Sequence, residues 1–154
     1  MRTLSIKLLI LILLLISCGN EQKERPKTAE ELRTELKGKE LLNPKDYLQD
    51  KDVTLQLQKK EIRKANLFRS AKYADDGGLI SGFFVNKSTL ATYKDIEVRV
   101  SYYSQTKTLI DEKKYIFYNF YKPNESEYFT LKVYPPKAYK TFSFVITDAK
   151  GVFD

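Results

Sequence analysis

Histidine and tryptophan are absent from this chain of 154 residues, and cysteine occurs once. Without histidine the chain lacks the side chain that most often serves as general base and as metal ligand. A single cysteine excludes an intrachain disulfide and any site built from clustered thiolates. No Ser-His-Asp or Cys-His arrangement can form, and no glycine-rich loop of the phosphate-cradling kind occurs. The sequence therefore offers no catalytic residue, no cofactor site and no metal site, and it reads as a non-enzyme. Apolar runs are also short: the longest covers residues 8–16, well under what a membrane-spanning helix needs.

What the chain has in quantity is charge and aromatic rings. Lys and Arg number 27 against 20 Asp and Glu, a formal charge of +7, and 11 Tyr with 9 Phe bring aromatics to 13%. The chain opens with the basic Arg2 and Lys7, continues through the apolar residues 8–16, and meets Ser17, Cys18 and Gly19 where that run ends. A basic start, a short apolar stretch and small residues at its close make an export signal. As a helix the run would rise roughly 14 Å, about half of a ~30 Å hydrocarbon core. Leu15, Ile16, Ser17 and Cys18 resemble the lipobox of bacterial lipoproteins. That resemblance implies cleavage after Ser17, diacylglycerol on Cys18 and N-acylation, so that the membrane is a partner through lipid on Cys18. Two or three acyl chains hold a protein stably where one does not. Gly19 stands where an Asp retains enterobacterial lipoproteins at the inner membrane, so the outer membrane is the expected location, with the periplasmic face and the cell surface both open. Residues 19–24 look like the charged tracts of surface-exposed Bacteroidota-type lipoproteins.

Loss of residues 1–17 lowers the formal charge from +7 to +5, a surplus that suits an anionic surface or simple solubility. No aromatic-interleaved basic motif of the RNA-binding type is present, and nucleic acid is not an expected partner.

The lipobox resemblance implies a signal peptide over 1–17 and a lipidated tether over 18–27; composition and period add a helical segment over 28–51 and a β domain over 52–154, of which 80–149 carries a family resemblance. Thr28 with Glu31 forms a capping box, acids fill the first turn, and Lys37 with Gly38 closes a helix extending toward Leu42. Asn43 and Pro44 read as the cap and first position of a second helical turn. From Asp52 the period becomes two. Val53, Leu55 and Leu57 alternate with polar residues; residues 62–68 make a poorer strand; Asp75, Asp76, Gly77 and Gly78 read as a turn. Ile96, Val98, Val100 and Tyr102 form the cleanest half-buried strand, and further strands fall over 79–85, 115–121, 128–134 and 142–146. About seven strands at short spacing predict an all-β, antiparallel sandwich.

Gly82, Phe83, Phe84, Val85 and Asn86, then residues 93–104, then Lys122, Pro123, Asn124, Glu125 and Ser126, resemble the FxLYD family of extracytoplasmic immunoglobulin-like domains. Val100, Tyr102 and Ser104 stand where the name-giving motif has Phe, Leu and Asp. The resemblance implies an immunoglobulin-like fold and an exported setting, and carries no catalytic residues.

Two features invite a functional reading. On a strand, Tyr115, Phe117, Asn119 and Tyr121 face one way and Ile116, Tyr118 and Phe120 the other. One face would hold aromatics near solvent unless the N-terminal helix covers it through Leu32 and Leu36. Tyr115, Phe117 and Tyr121 are the candidate contacts for a protein partner or a glycan. The acids Asp75 and Asp76 lack the spacing of a calcium loop, and Asp111 with Glu112, adjacent in sequence, reads as a surface turn rather than a hydrolytic pair. The expectation is a lipid-anchored cell-envelope module that holds a protein partner without catalysis, with glycan binding as the alternative.

Overall fold

A computed structural model describes residues 25–152 of the chain. The signal segment, Cys18 and residues 19–24 of the tether lie outside the described residues. Contacts divide the chain into two units, Met1–Leu32 and Arg33–Asp154. The described part of the first unit is the start of helix α1 (Ala29–Leu42). Its capping box forms as expected: the Thr28 N–H donates to Glu31 Oε2 at 2.9 Å, and the Glu31 N–H donates to Thr28 Oγ1 at 3.3 Å.

In the second unit α1 runs on through Gly38, which therefore does not end it, and stops at Leu42. Asn43 does not cap the following helix α2 (Pro44–Tyr47) with its side chain. Its Nδ2 instead donates back to the Lys39 carbonyl at 3.1 Å, closing the C-terminus of α1, while Pro44 takes the first helical position as expected.

Six strands follow among the described residues, all paired antiparallel. One sheet has β1 (Leu48–Arg63) beside β2 (Lys72–Asn86), and β2 beside β5 (Ser126–Val133). The other has β4 (Leu109–Phe117), β3 (Thr92–Tyr103) and β6 (Thr141–Val152), with β3 central. The order matches strands A, B, E and C′, C, F of the immunoglobulin arrangement. The count is six rather than seven because residues 53–58 and 62–63 are one strand, β1, and residues 64–71 are its turn into β2.

Alternation writes the core. Ile80 and Phe84 of β2 and Phe129 and Val133 of β5 meet Ile96, Val98, Val100 and Tyr102 of β3 and Phe144 of β6. The rings stack within and between the sheets: Phe84 lies 4.3 Å from Phe129 of the same sheet, which lies 5.1 Å from Phe144 of the other, and Phe117 meets both Phe84 and Phe129 edge-on.

Two bulges account for the misread strand ends. At Asp52, whose φ is 54°, β1 gains a residue against Phe83 and Ser81 of β2, and its inward phase switches from Leu48 to Val53 and Leu55. The alternation visible from Asp52 is the second half of a strand that begins at Leu48. At Gly77, φ 76°, β2 gains a residue against β1 between Leu57 and Lys59. Asp75–Gly78 is thus not a turn. The positive φ that glycine supplies is used within a strand.

Candidate interaction surfaces

Tyr115, Phe117 and Tyr121, put forward for contact, do not share a solvent-facing strand. β4 ends at Phe117, and the chain bends at Asn119, a residue disfavoured in strands. Tyr115 and Phe117 are half-buried against the core and Tyr121 is only 2% exposed. The side chains left to solvent are those between and beside them: Tyr118 at 73%, Phe120 at 56% and Ile116. Leu36, expected to cover this face, is itself exposed. Asn119 is the one signal in the sequence that could have ended the strand before Tyr121.

This exposed segment rests on a fixed backbone. Tyr121 and Tyr93 exchange both backbone hydrogen bonds, at 2.8 and 2.9 Å. Asn86, at the end of β2, is buried and donates through Nδ2 to the carbonyls of Tyr121 (2.9 Å) and Ala91 (2.8 Å), while its Oδ1 accepts from the Ser88 N–H at 2.9 Å. Both Nδ2 hydrogens are used. Lys94 Nζ stands 5.6 Å from the centre of the Phe120 ring.

Next to Asn86 lies a buried carboxylate that the sequence did not signal. Glu40, near the end of α1, is fully buried. Its Oε1 accepts from the N–H and hydroxyl of Thr89, both at 2.8 Å, and its Oε2 accepts from the N–H groups of Leu90 and Ala91, both at 2.9 Å. Three successive amides and a hydroxyl make an anion nest filled by the protein itself. Burial pushes the Glu40 carboxyl up, and these hydrogen bonds outweigh it, so the group sits below its ordinary value. The Tyr93 hydroxyl donates to the Glu40 carbonyl at 2.7 Å. Burial, with the Glu40 charge behind it, raises the Tyr93 phenol; burial also raises Tyr102, and takes Tyr121 up to about 12. These phenols stay protonated at neutral pH.

Several of the other acids have partners of their own. Asp76 pairs with Lys132 at 2.9 Å. Asp111 and Glu112 lie within β4 rather than in a turn and diverge: Asp111 pairs with Lys113, and Glu112 accepts from Ser101 at 2.9 Å. Glu97 pairs with Lys114 and accepts from Thr147, so the outer face of the β4–β3–β6 sheet is a charged ladder. The outer face of the other sheet carries an edge-to-face pair of Phe83 and Tyr128, 5.4 Å apart. A cleft of about 340 Å³, lined by Leu57, Lys59, Asp75, Gly77, Pro136 and Tyr139 among others, opens at the far end of β1 and β2. Among the described residues no group of three potential metal ligands comes together, and no helix is long and apolar enough to cross a membrane.

No family model, no curated protein and no solved structure matches this chain.

Proposed function

We propose that this chain is a lipid-anchored, non-catalytic interaction module of the bacterial cell envelope that holds a protein partner through the segment around Tyr118 and Phe120. The observation that carries the reading is the pairing of exposed rings with a pinned backbone. Tyr118 and Phe120 present their rings to solvent, while Tyr121, next in the chain, is held by Tyr93 and Asn86. Aromatic side chains on a preorganised backbone lose little entropy on contact, which is how interface hot spots are built. The immunoglobulin strand order supports the FxLYD-like reading of residues 80–149, and the lipobox-like residues around Cys18 support attachment to the outer membrane. Glycan stacking is the second reading, favoured by the exposed Tyr118 ring beside the Asn119 amide.

The test is a photo-crosslinking residue at position 118 in the full chain, expressed in its own envelope, with Cys18→Ala and Phe120→Ala run beside it. One envelope protein crosslinked to position 118, and lost in both variants, is the expected result. Crosslinks to no protein, with retention of Tyr118-dependent binding to envelope polysaccharide, would replace the protein partner by a glycan.

A further inference from the structure

The ribbon formed by the far ends of β1 and β2 has no part in the surface just described. β5 pairs with β2 only over Gly78–Val85, so residues 59–75 leave the sandwich as a two-stranded arm with no third strand. At about 3.3 Å per residue the arm carries its tip about 20 Å beyond the sheet. Nothing on it is buried, and only Ala71 is half-buried.

The arm is nonetheless built. Asn66 and Arg69 exchange backbone hydrogen bonds at 2.9 and 3.2 Å, Asn66 Oδ1 accepts from the Phe68 N–H at 3.1 Å, and the Arg63 guanidinium donates to the Ser70 carbonyl at 3.1 Å. That turn puts Leu67 and Phe68 at the apex, 92% and 90% exposed. Behind them stand Lys59, Lys60, Arg63, Lys64, Arg69 and Lys72 against the acids Glu61 and Asp75, the second of which lies opposite Lys59 at the base of the ribbon. This is a net +4 of the chain's +7 within residues 59–75. Among the described residues no ion pair uses any of these six cations.

We propose that this arm is a membrane-inserting device: Leu67 and Phe68 enter the acyl region of an anionic lipid surface while the six cations behind them meet the headgroup phosphates. In water the two features are each unfavourable, since the apex wets two large apolar side chains and the cations repel one another. An anionic bilayer answers both in the order in which the arm presents them, apolar groups in front and cations behind. A nucleic acid presents its phosphates outermost and offers the apex nothing apolar to enter. The arm's role does not depend on lipidation of Cys18, nor on a partner at Tyr118.

The chain has no tryptophan, so Phe68→Trp in the full chain places a sole indole at the apex, and Tyr128→Trp, made separately, places a reference indole on the sandwich. Vesicles of phosphatidylglycerol, plain and brominated on the acyl chains, are added to each. The expected result is a blue-shifted emission from the Phe68→Trp chain that the brominated lipid quenches, with the Tyr128→Trp chain unchanged. Vesicles of phosphatidylcholine, raised salt, or conversion of Lys59, Lys60, Lys64 and Lys72 to Gln each weaken it at least tenfold, because a cation at an anionic surface contributes about fivefold in partitioning. Because the arm buries nothing, these variants keep the thermal midpoint of the parent. A water-like emission from the Phe68→Trp chain on phosphatidylglycerol vesicles overturns the proposal. So does equal quenching of the Tyr128→Trp chain, which marks attachment through the N-terminus or the sandwich. A shift produced by a polyanion or an envelope protein fraction without lipid also overturns it, and hands the arm to that partner.

Discussion

β1 and β2 are the longest strands among the described residues, at 16 and 15 residues, and their two ends are built on opposite terms. At one end, where β1 starts and β2 stops, buried Glu40, Asn86 and Ser88 are tied by short hydrogen bonds to Thr89, Leu90 and Ala91, while buried Tyr93 bonds to the Glu40 carbonyl and the carbonyl of buried Tyr121 accepts from Asn86. At the other, the same two strands leave the sheet and bury nothing, with apolar tips in water and, among the described residues, no ion pair to their cations. The difference lies in whether a third element closes over the ribbon, because an isolated two-stranded hairpin is marginal. One end is thus set for permanence and the other for contact.

Substitutions grade this contrast. The largest expected effect is at Glu40. Glu40→Ala strips four donors, part-buried or buried, of their acceptor and costs about 3–4 kcal/mol in urea unfolding. Glu40→Gln recovers part of that and changes its pH dependence. Glu40 sits below its ordinary value of 4.5 in the folded chain, so its contribution is complete above about pH 4.5 and fades as pH falls through the folded value. In Glu40→Gln that component of acid destabilisation is gone. Asn86→Asp keeps the shape but turns a double donor toward the carbonyls of Ala91 and Tyr121 into an acceptor, with an expected loss of about 3 kcal/mol by the same measurement. At the border between the two ends, Gly77→Ala places a methyl against the Val133 carbonyl oxygen at a positive φ. About 2 kcal/mol is expected there. Smallest of all, Leu67→Ser with Phe68→Ser on the arm leaves stability within about 0.5 kcal/mol. Equal losses at Glu40 and at the arm tip would erase the distinction between the ends. Hydrogen exchange sharpens it, with slow amides at Leu90 and Ala91 and fast ones over residues 60–72.

The fold was legible where period and burial coincide. Ile96, Val98, Val100 and Tyr102 alternate without interruption and form the central strand, and Thr28 with Glu31 announces the start of α1 by local spacing alone. Bulges defeat this reading, because Asp52 and Gly77 shift the phase inside a strand while looking like a strand start and a turn. The aromatic segment failed for a related reason: alternation was carried through Asn119, where the backbone turns. Glu40 left no trace, since its partners lie about fifty residues away and its neighbours Lys39 and Leu41 look like any helix end. The arm's cations were present in the composition but diluted into a modest net charge. Only the ribbon's exit from the sheet gathers them.

Glu40 also decides how the molecule bears force. A pull arriving along α1 from its N-terminal side reaches the sandwich at this residue, where four hydrogen bonds to the side chain and one to the carbonyl converge. Bonds that share a load fail together, at higher force than bonds peeled one after another. Tension on the N-terminal segment is therefore met at a single riveted point, before it can start to unravel the first strand.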